Sequence, residues 1–247
     1  MAPLLAPSKG NVGENDEILI TKTLLKLRGR FVPSLNFIIE TVADYSGRIH
    51  KDNSGFITKA PVSSKRDITI NGKGFSLKSS RAAPPAIVNH TTREKWLKVC
   101  DRRQITIDLL DGMVSEYWKL RMEGRIGEDI HTTSSLCPFG CTKEHQLYLK
   151  KLVDYFLFDG TGSALSNYPA DYILEFNDPL NPNTWRILDR DTAFFAEWPK
   201  MVFSIRSKKG MPSNYPNINP AQKALMEPWV RFIDGDYRGA LHIRAKK

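Results

Sequence analysis

Cysteine is scarce. The 247 residues hold three, Cys100, Cys137 and Cys141, an odd number that argues against a disulfide framework. No charged-then-apolar leader opens the chain, so a reducing, cytoplasmic setting is expected. Long hydrophobic runs are also missing. The nearest, Leu149 to Phe158, is interrupted by Lys and Asp and falls short of the roughly twenty apolar residues that cross a bilayer, so nothing supports a membrane role. No internal repeat recurs at a fixed period. The Gly-rich turn GTGS at Gly160 to Ser163 lacks the second Gly followed by Lys and Ser or Thr that cradles nucleotide phosphates, which argues against a nucleotide triphosphatase.

What is present is length and positive charge. A chain of this size buries a core without cross-links, and the expectation is one domain over residues 16–247 behind a mobile arm, Met1 to Asn15, rich in Pro, Gly, Ser and Lys. Lys plus Arg number 36 against 27 Asp plus Glu, a formal +9 spread along the chain. Such a balance suits a polyanionic partner, although charge alone equally describes a solvated surface.

Periodicity then divides the chain. The segment from Glu17 to Gly47 carries apolar clusters at helical spacing broken near Gly29 and Pro33, which predicts two helices with Glu40 on the second. Arg66 to Ser79, RDITINGKGFSLKS, alternates apolar and polar residues on both sides of Asn71-Gly72 and predicts a β-hairpin. After Pro84-Pro85, helices are expected on both sides of Ile105, with Glu94 in the first turn of the earlier one. HTTSSLCPFGCTKEH reads as a loop leading into the helix QLYLKKLVDYFLF. DYILEF, WRIL and KMVFSIRSKK read as strands, and a helix around Gln222 to Phe232 and a short strand at Leu241 to Arg244 close the chain. The fold class is therefore α/β, a mixed central sheet flanked by helices.

Asp67 opens the first strand of the hairpin, and Ser76, Leu77 and Lys78 lie on the second. Because side chains alternate, Ser76 and Lys78 share a face and Leu77 takes the other. A carboxylate and an ammonium at one sheet edge, beside the Leu77 carbonyl, are what phosphodiester hydrolysis with a hard cation calls for: oxygen ligands for the metal and a Lys to orient water and offset phosphate charge. The arrangement resembles the PD-(D/E)XK nuclease core, with Arg66 in place of the Pro and Ser76 in place of the second acid. The Ser-any-Lys form is similar to a branch of type II restriction endonucleases in which a Glu on the helix that follows supplies the missing carboxylate, here matched by Glu94.

That resemblance implies a Mg²⁺-dependent endonuclease acting on double-stranded DNA as a homodimer. Asp67, Ser76, Lys78 and Glu94 would be its catalytic residues, with Glu40 the competing acid. The metal would be held by Asp67, Glu94 and the Leu77 carbonyl. Lys65, Arg66, Lys73, Arg81, Arg206, Lys208 and Lys209 would contact phosphates, and Asn214 would be a base reader together with Asn217 and Asn219.

Two other constellations compete. His131, Cys137, Cys141 and His145 are residue types that suit a structural Zn²⁺, which would make the chain a non-catalytic, zinc-stabilised nucleic-acid-binding protein. Asp171, Glu175 and Glu197 form a second acidic set without an acid-any-Lys partner. His90, His131 and His145 leave room for metal-free chemistry.

Overall fold

The computed structural model describes residues 12–49, 59–82, 86–207 and 210–246. Along the chain, helix α1 (Val12–Lys26) precedes strands β1 (Phe31–Val32), β2 (Phe37–Ile38), β3 (Val42–Asp44), β4 (Ile68–Ile70), β5 (Lys73–Ser79) and β6 (Ala86–Thr92). Helices α2 (Arg93–Arg102) and α3 (Asp108–Met122), strand β7 (Ile130–His131) and helix α4 (Lys143–Asp154) follow. Next come β8 (Gly160–Thr161), β9 (Ala164–Leu165), β10 (Tyr172–Phe176), β11 (Trp185–Leu188), α5 (Ala193–Glu197) and β12 (Met201–Arg206). Helix α6 (Pro220–Met226) and strands β13 (Arg231–Ile233), β14 (Asp236–Arg238) and β15 (Ala240–Ala245) complete the order.

Where the sequence reads as one domain from residue 16 on, the chain forms two compact units. The first comprises the described residues of Met1–Ala83 with Phe158–Gly160 and Leu165–Ala193, and the second those of Pro84–Leu157, Thr161–Ala164 and Phe194–Lys247. The class is α/β with mixed sheet, as expected.

The first unit is built on a five-stranded sheet in the order β11-β10-β5-β4-β3, antiparallel except where β10 runs parallel to β5. One face is apolar: Val42, Ile68, Ile70, Phe75, Leu77, Leu174 and Phe176 pack with Ile20, Leu24 and Leu25 of α1. Helix α1 begins within the stretch expected to be an arm, so Val12 to Asn15 are helical; residues 1–11 lie outside the described part. Gly29, in the left-handed region at φ 77°, ends the turn after the helix and donates its N–H to the Ile39 carbonyl.

The second expected helix is absent, and Glu40 is not helical. Phe31–Val32 pairs with Phe37–Ile38 instead, closed by Pro33 to Asn36, with Asn36 at φ 59°. Helical spacing of the apolar residues was coincidental. Pro33 lacks a donor, Asn tolerates the left-handed turn position, and the β-branched Ile38, Ile39, Thr41 and Val42 favour extended chain.

The second unit holds an antiparallel sheet, β6-β15-β12-β7. Its core joins Val88, Phe203, Ile205, Leu241 and Ile243 of the strands to Trp96 and Val99 of α2, Val114 and Tyr117 of α3 and Leu149 and Val153 of α4. The expected final helix is shorter than read, since α6 stops at Met226, a 3-10 turn carries Glu227 to Trp229, and strand β13 follows. Among the described residues no helix is long and apolar enough to cross a membrane.

Candidate active site

The hairpin of β4 and β5 turns at Asn71 (φ 50°) and Gly72 (φ 76°), the positive-φ pair that a two-residue turn needs. Asn71 also anchors the tip. Its Oδ1 accepts from the N–H groups of Glu40 (2.8 Å) and Thr41 (3.0 Å), and its Nδ2 donates to the Ile38 carbonyl (2.7 Å).

At the other end of the hairpin β5 outruns its partner. Strand β4 starts at Ile68, opposite Phe75, so beyond Phe75 strand β5 continues past the end of β4, while β10 stays in register along the opposite edge to Phe176 beside Ser79. Asp67 sits at that offset. Its N–H donates to the Phe75 carbonyl (2.8 Å), and its Oδ2 accepts from the Leu77 N–H (2.7 Å). In a strand the carbonyl of a residue points to the same edge as its N–H, so the Leu77 carbonyl also faces the gap that β4 leaves. Ser76 is buried with its Oγ 3.4 Å from Asp67 Oδ2, long for an O–H···O bond. Lys78, two residues on and on the same face as Ser76, is exposed.

Helix α1 brings a carboxylate that the sequence reading missed, Glu17. Burial pushes the Glu17 carboxyl up to about 7, the negative Asp67 adds to that rise, and Lys78 and Lys59 oppose it. Asp67 is also held above the ordinary carboxylate value, by burial, against the pull of Lys78, of the Leu77 N–H, of Ser76 and of Lys65. Lys65 closes the group: burial lowers its ammonium to about 8, with Lys78 adding and Asp67 and Asp159 opposing. Two carboxylates and two ammonium groups thus share one neighbourhood at a sheet edge with main-chain atoms exposed to it.

The position of α1 explains why Glu17 is there. Asp16, buried, accepts from Ser79 Oγ at the end of β5 and from Arg81, which fixes the first turns of the helix over the end of that strand. The signal was the acidic stretch Glu14, Asp16 and Glu17 at the start of an amphipathic helix, but spacing gives no hint that this helix packs on the hairpin.

The other expected residues are placed differently. Glu40 is exposed at the hairpin tip, the far end of β4 from Asp67. Glu94 belongs to the second unit, where its carboxylate engages Lys98 (3.2 Å) and Gln222 (3.2 Å). Arg66 lies across Gly74 and over the Tyr168 ring, 5.5 Å from its centroid. Arg81 is paired with Asp16, and Arg206 with Asp129 (2.8 Å) and Glu128 (3.3 Å), so each carries a local counter-charge. Lys73 and Asn214 are exposed, and Asn219 caps α6 through its bond from the Ala221 N–H. Lys208 and Lys209 lie outside the described residues.

In the second acidic set, Asp171 accepts from the Gly74 N–H (2.7 Å), Glu175 pairs with Arg186 and Glu197 with Lys200. Of the four zinc-suited residues, Cys141 and His145 meet, with Sγ 3.2 Å from Nδ1. Cys137 turns into the core and donates to the Phe139 carbonyl, its thiol raised to about 11 by burial, and His131 is on β7. Among the described residues no three His, Cys, Asp or Glu side chains cluster as a metal group. At the offset of β5 the oxygen groups are the Asp67 carboxylate, the Leu77 carbonyl and, within electrostatic range, the Glu17 carboxylate.

No protein-family model matches the chain, and neither a curated protein nor a solved structure matches it.

Proposed function

We propose that the chain is a divalent-cation-dependent endonuclease of the type II restriction sort, cutting double-stranded DNA as a homodimer. The observation that carries this reading is the Asp67 carboxylate held on the Leu77 N–H at the open edge of β5, with Glu17 and Lys78 within electrostatic range of it. The donor set fits a hard cation. All three donors are oxygens, Leu77 occupies one carboxylate oxygen of Asp67 and leaves the other, and two carboxyls that burial penalises in their charged form are ones a dication relieves.

Asp67, Glu17 and the Leu77 carbonyl would hold Mg²⁺. When bound, the ion lowers the pKa of a water and offsets charge that builds on the phosphate. Lys78, exposed on the Ser76 face, orients the attacking water, and Lys65, within electrostatic range of Asp67 and Lys78, adds positive charge for the phosphate. Ser76 fills the vacated acid position without adding a third negative charge. Two copies are needed to cut both strands of a short symmetric site.

The test uses plasmid and phage DNA with Mg²⁺, compared with EDTA and with Asp67→Asn, Lys78→Ala, Glu17→Gln and Glu94→Gln. Discrete fragments should disappear with EDTA and with the first three variants and persist with the fourth. Cleavage that survives both Asp67→Asn and Lys78→Ala, or DNA left intact by the native protein in Mg²⁺ and in Mn²⁺, overturns the reading.

A further inference from the structure

The second unit contains a cleft that the cation site does not use. It has a volume of about 360 Å³ and opens between the first turn of α2 and helix α6. Thr92, Glu94, Lys95 and Gln222 are its polar lining residues, and Met211, Pro212 and Met226 its apolar ones. Its size falls in the range of small-molecule sites, and its composition, apolar walls with a few convergent polar groups, is of the same kind.

The polar groups are already ordered. Gln222 donates its Nε2–H to Glu94 Oε2 (3.2 Å), and Lys98 reaches Glu94 Oε1 (3.2 Å), so the carboxylate is held from two sides in one orientation. A carboxylate accepts at about four lone-pair sites, and these two bonds use two of them. With one N–H committed to Glu94, the Gln222 amide keeps a second N–H donor and its carbonyl acceptor. The cleft therefore presents the Glu94 carboxylate and the Gln222 amide as its ordered polar groups and a cation, Lys95, which is exposed.

We infer that this cleft binds a guanine base. Among the bases, guanine carries two adjacent donors, N1–H and the 2-amino group, which match the two oxygens of one carboxylate. Adenine and cytosine set a donor beside an acceptor, and that acceptor would face Glu94 oxygen with like polarity. Thioether and proline groups give the base faces apolar, polarisable surface, and Lys95 suits a phosphate attached to the same nucleoside. The source of the base is either a free guanine nucleotide or an unpaired guanine in a DNA strand. The inference stands apart from the cation site, since nothing in it requires a metal.

The experiment is binding by the whole chain in EDTA, where cleavage cannot occur, followed calorimetrically and by ligand-observed NMR. GMP should bind more tightly than AMP, CMP or UMP, and more tightly than IMP, which lacks the 2-amino group. Glu94→Gln should weaken GMP by about tenfold or more and abolish the difference between GMP and IMP, the loss of a charge-assisted pair. Lys95→Ala, an exposed position, should weaken GMP and leave guanosine unchanged, and thermal unfolding confirms that both variants are folded. GMP binding with this pattern identifies a free nucleotide as sufficient. Binding confined to a short single strand, and lost when its single G is replaced by A, identifies the DNA source. Absence of binding by every mononucleotide and by the G-bearing strand, equal binding of all bases, or GMP binding indifferent to Glu94→Gln overturns the inference.

Discussion

Replacing Glu17 by Gln should make the protein more stable and less active together, and pH should govern the first effect. Burial and the neighbouring Asp67 raise the Glu17 carboxyl from 4.5 to about 7 in the fold. A carboxyl whose folded pKa exceeds its unfolded one holds its proton more tightly when folded. Below 4.5 both states are protonated and the position is neutral to stability. As pH rises from 4.5 toward 7 the unfolded chain ionises first, so stability falls, and above 7 the loss is complete. The interval from 4.5 to about 7, at roughly 1.36 kcal/mol per pH unit, amounts to about 3 kcal/mol. Glu17 keeps partial contact with solvent, which reduces this to about 2 kcal/mol.

Gln keeps the shape and removes the charge. In EDTA at pH 8 the Glu17→Gln protein should therefore gain about 2 kcal/mol, roughly 4–8 °C in Tm for a chain of this size. At pH 5 the gain should shrink to about a quarter of that, because pH 5 lies only about half a unit above the unfolded value and the folded carboxyl is still protonated. On the proposed reading, Mg²⁺ should stabilise the native protein and have less effect on the variant, while DNA cleavage drops about 10²-fold or more. Thermal unfolding at the two pH values, with and without Mg²⁺, measures all of this. A variant that is less stable than the native protein at pH 8 in EDTA, or whose gain is equal at both pH values, refutes the reasoning.

Gly74→Ala places a Cβ 2.4 Å from Arg66 Cδ and 3.1 Å from the Pro169 carbonyl, and should cost about 1–3 kcal/mol; adding Arg66→Ala should recover part of it, as read from urea unfolding of the single and double variants. Asn71→Ala removes three tip bonds and puts Ala at φ 50°, an expected loss of about 2–4 kcal/mol measured the same way. Asp16→Ala leaves Arg81 and Ser79 without their buried acceptor and should destabilise by about 3 kcal/mol, with hydrogen exchange rising first in α1. Ser76→Asp, placed in the Glu17→Gln background, returns a second carboxylate beside Asp67 and should restore part of the Mg²⁺-dependent cleavage at a stability below that of Glu17→Gln alone.

The hairpin was legible because its signals are local: strict alternation, and a turn pair whose residues accept positive φ. That Ser76 and Lys78 share a face followed from it, since strand periodicity sets which side chains lie together; Asp67 lies just before β4, and its approach to the Leu77 N–H came from the offset between the strands, which alternation does not give. The helix read over Glu40 failed because apolar spacing does not distinguish a helix from two short strands joined by Pro33 and Asn36; the turn chemistry decided it. Glu17 was out of reach for a different reason. Its approach to Asp67 depends on how α1 docks on β5 through Asp16, a tertiary contact between residues 63 apart, and no spacing encodes that. The Cys and His pattern shows the converse. The spacing suited a metal, but it does not encode that Cys137 turns into the core and donates to the Phe139 carbonyl while Cys141 meets His145.

On the proposed reading, the offset between β4 and β5 is what turns an ordinary hairpin into a site. With equal strands, the Leu77 N–H and carbonyl would be paired to β4, Asp67 would have no main-chain donor to orient it, and the sheet edge would be closed to α1. The same offset accounts for Ser at position 76. Ser76 is 3% exposed, directly beside Asp67, so a carboxylate there would be desolvated and repelled whenever the cation is absent. Glu17 comes from a helix at the rim and keeps some solvent, so its ionised form is penalised less severely than it would be inside the sheet. On the proposed reading, a second carboxylate on α1 instead of at position 76 keeps two oxygen donors for a cation and lowers the cost of the metal-free fold.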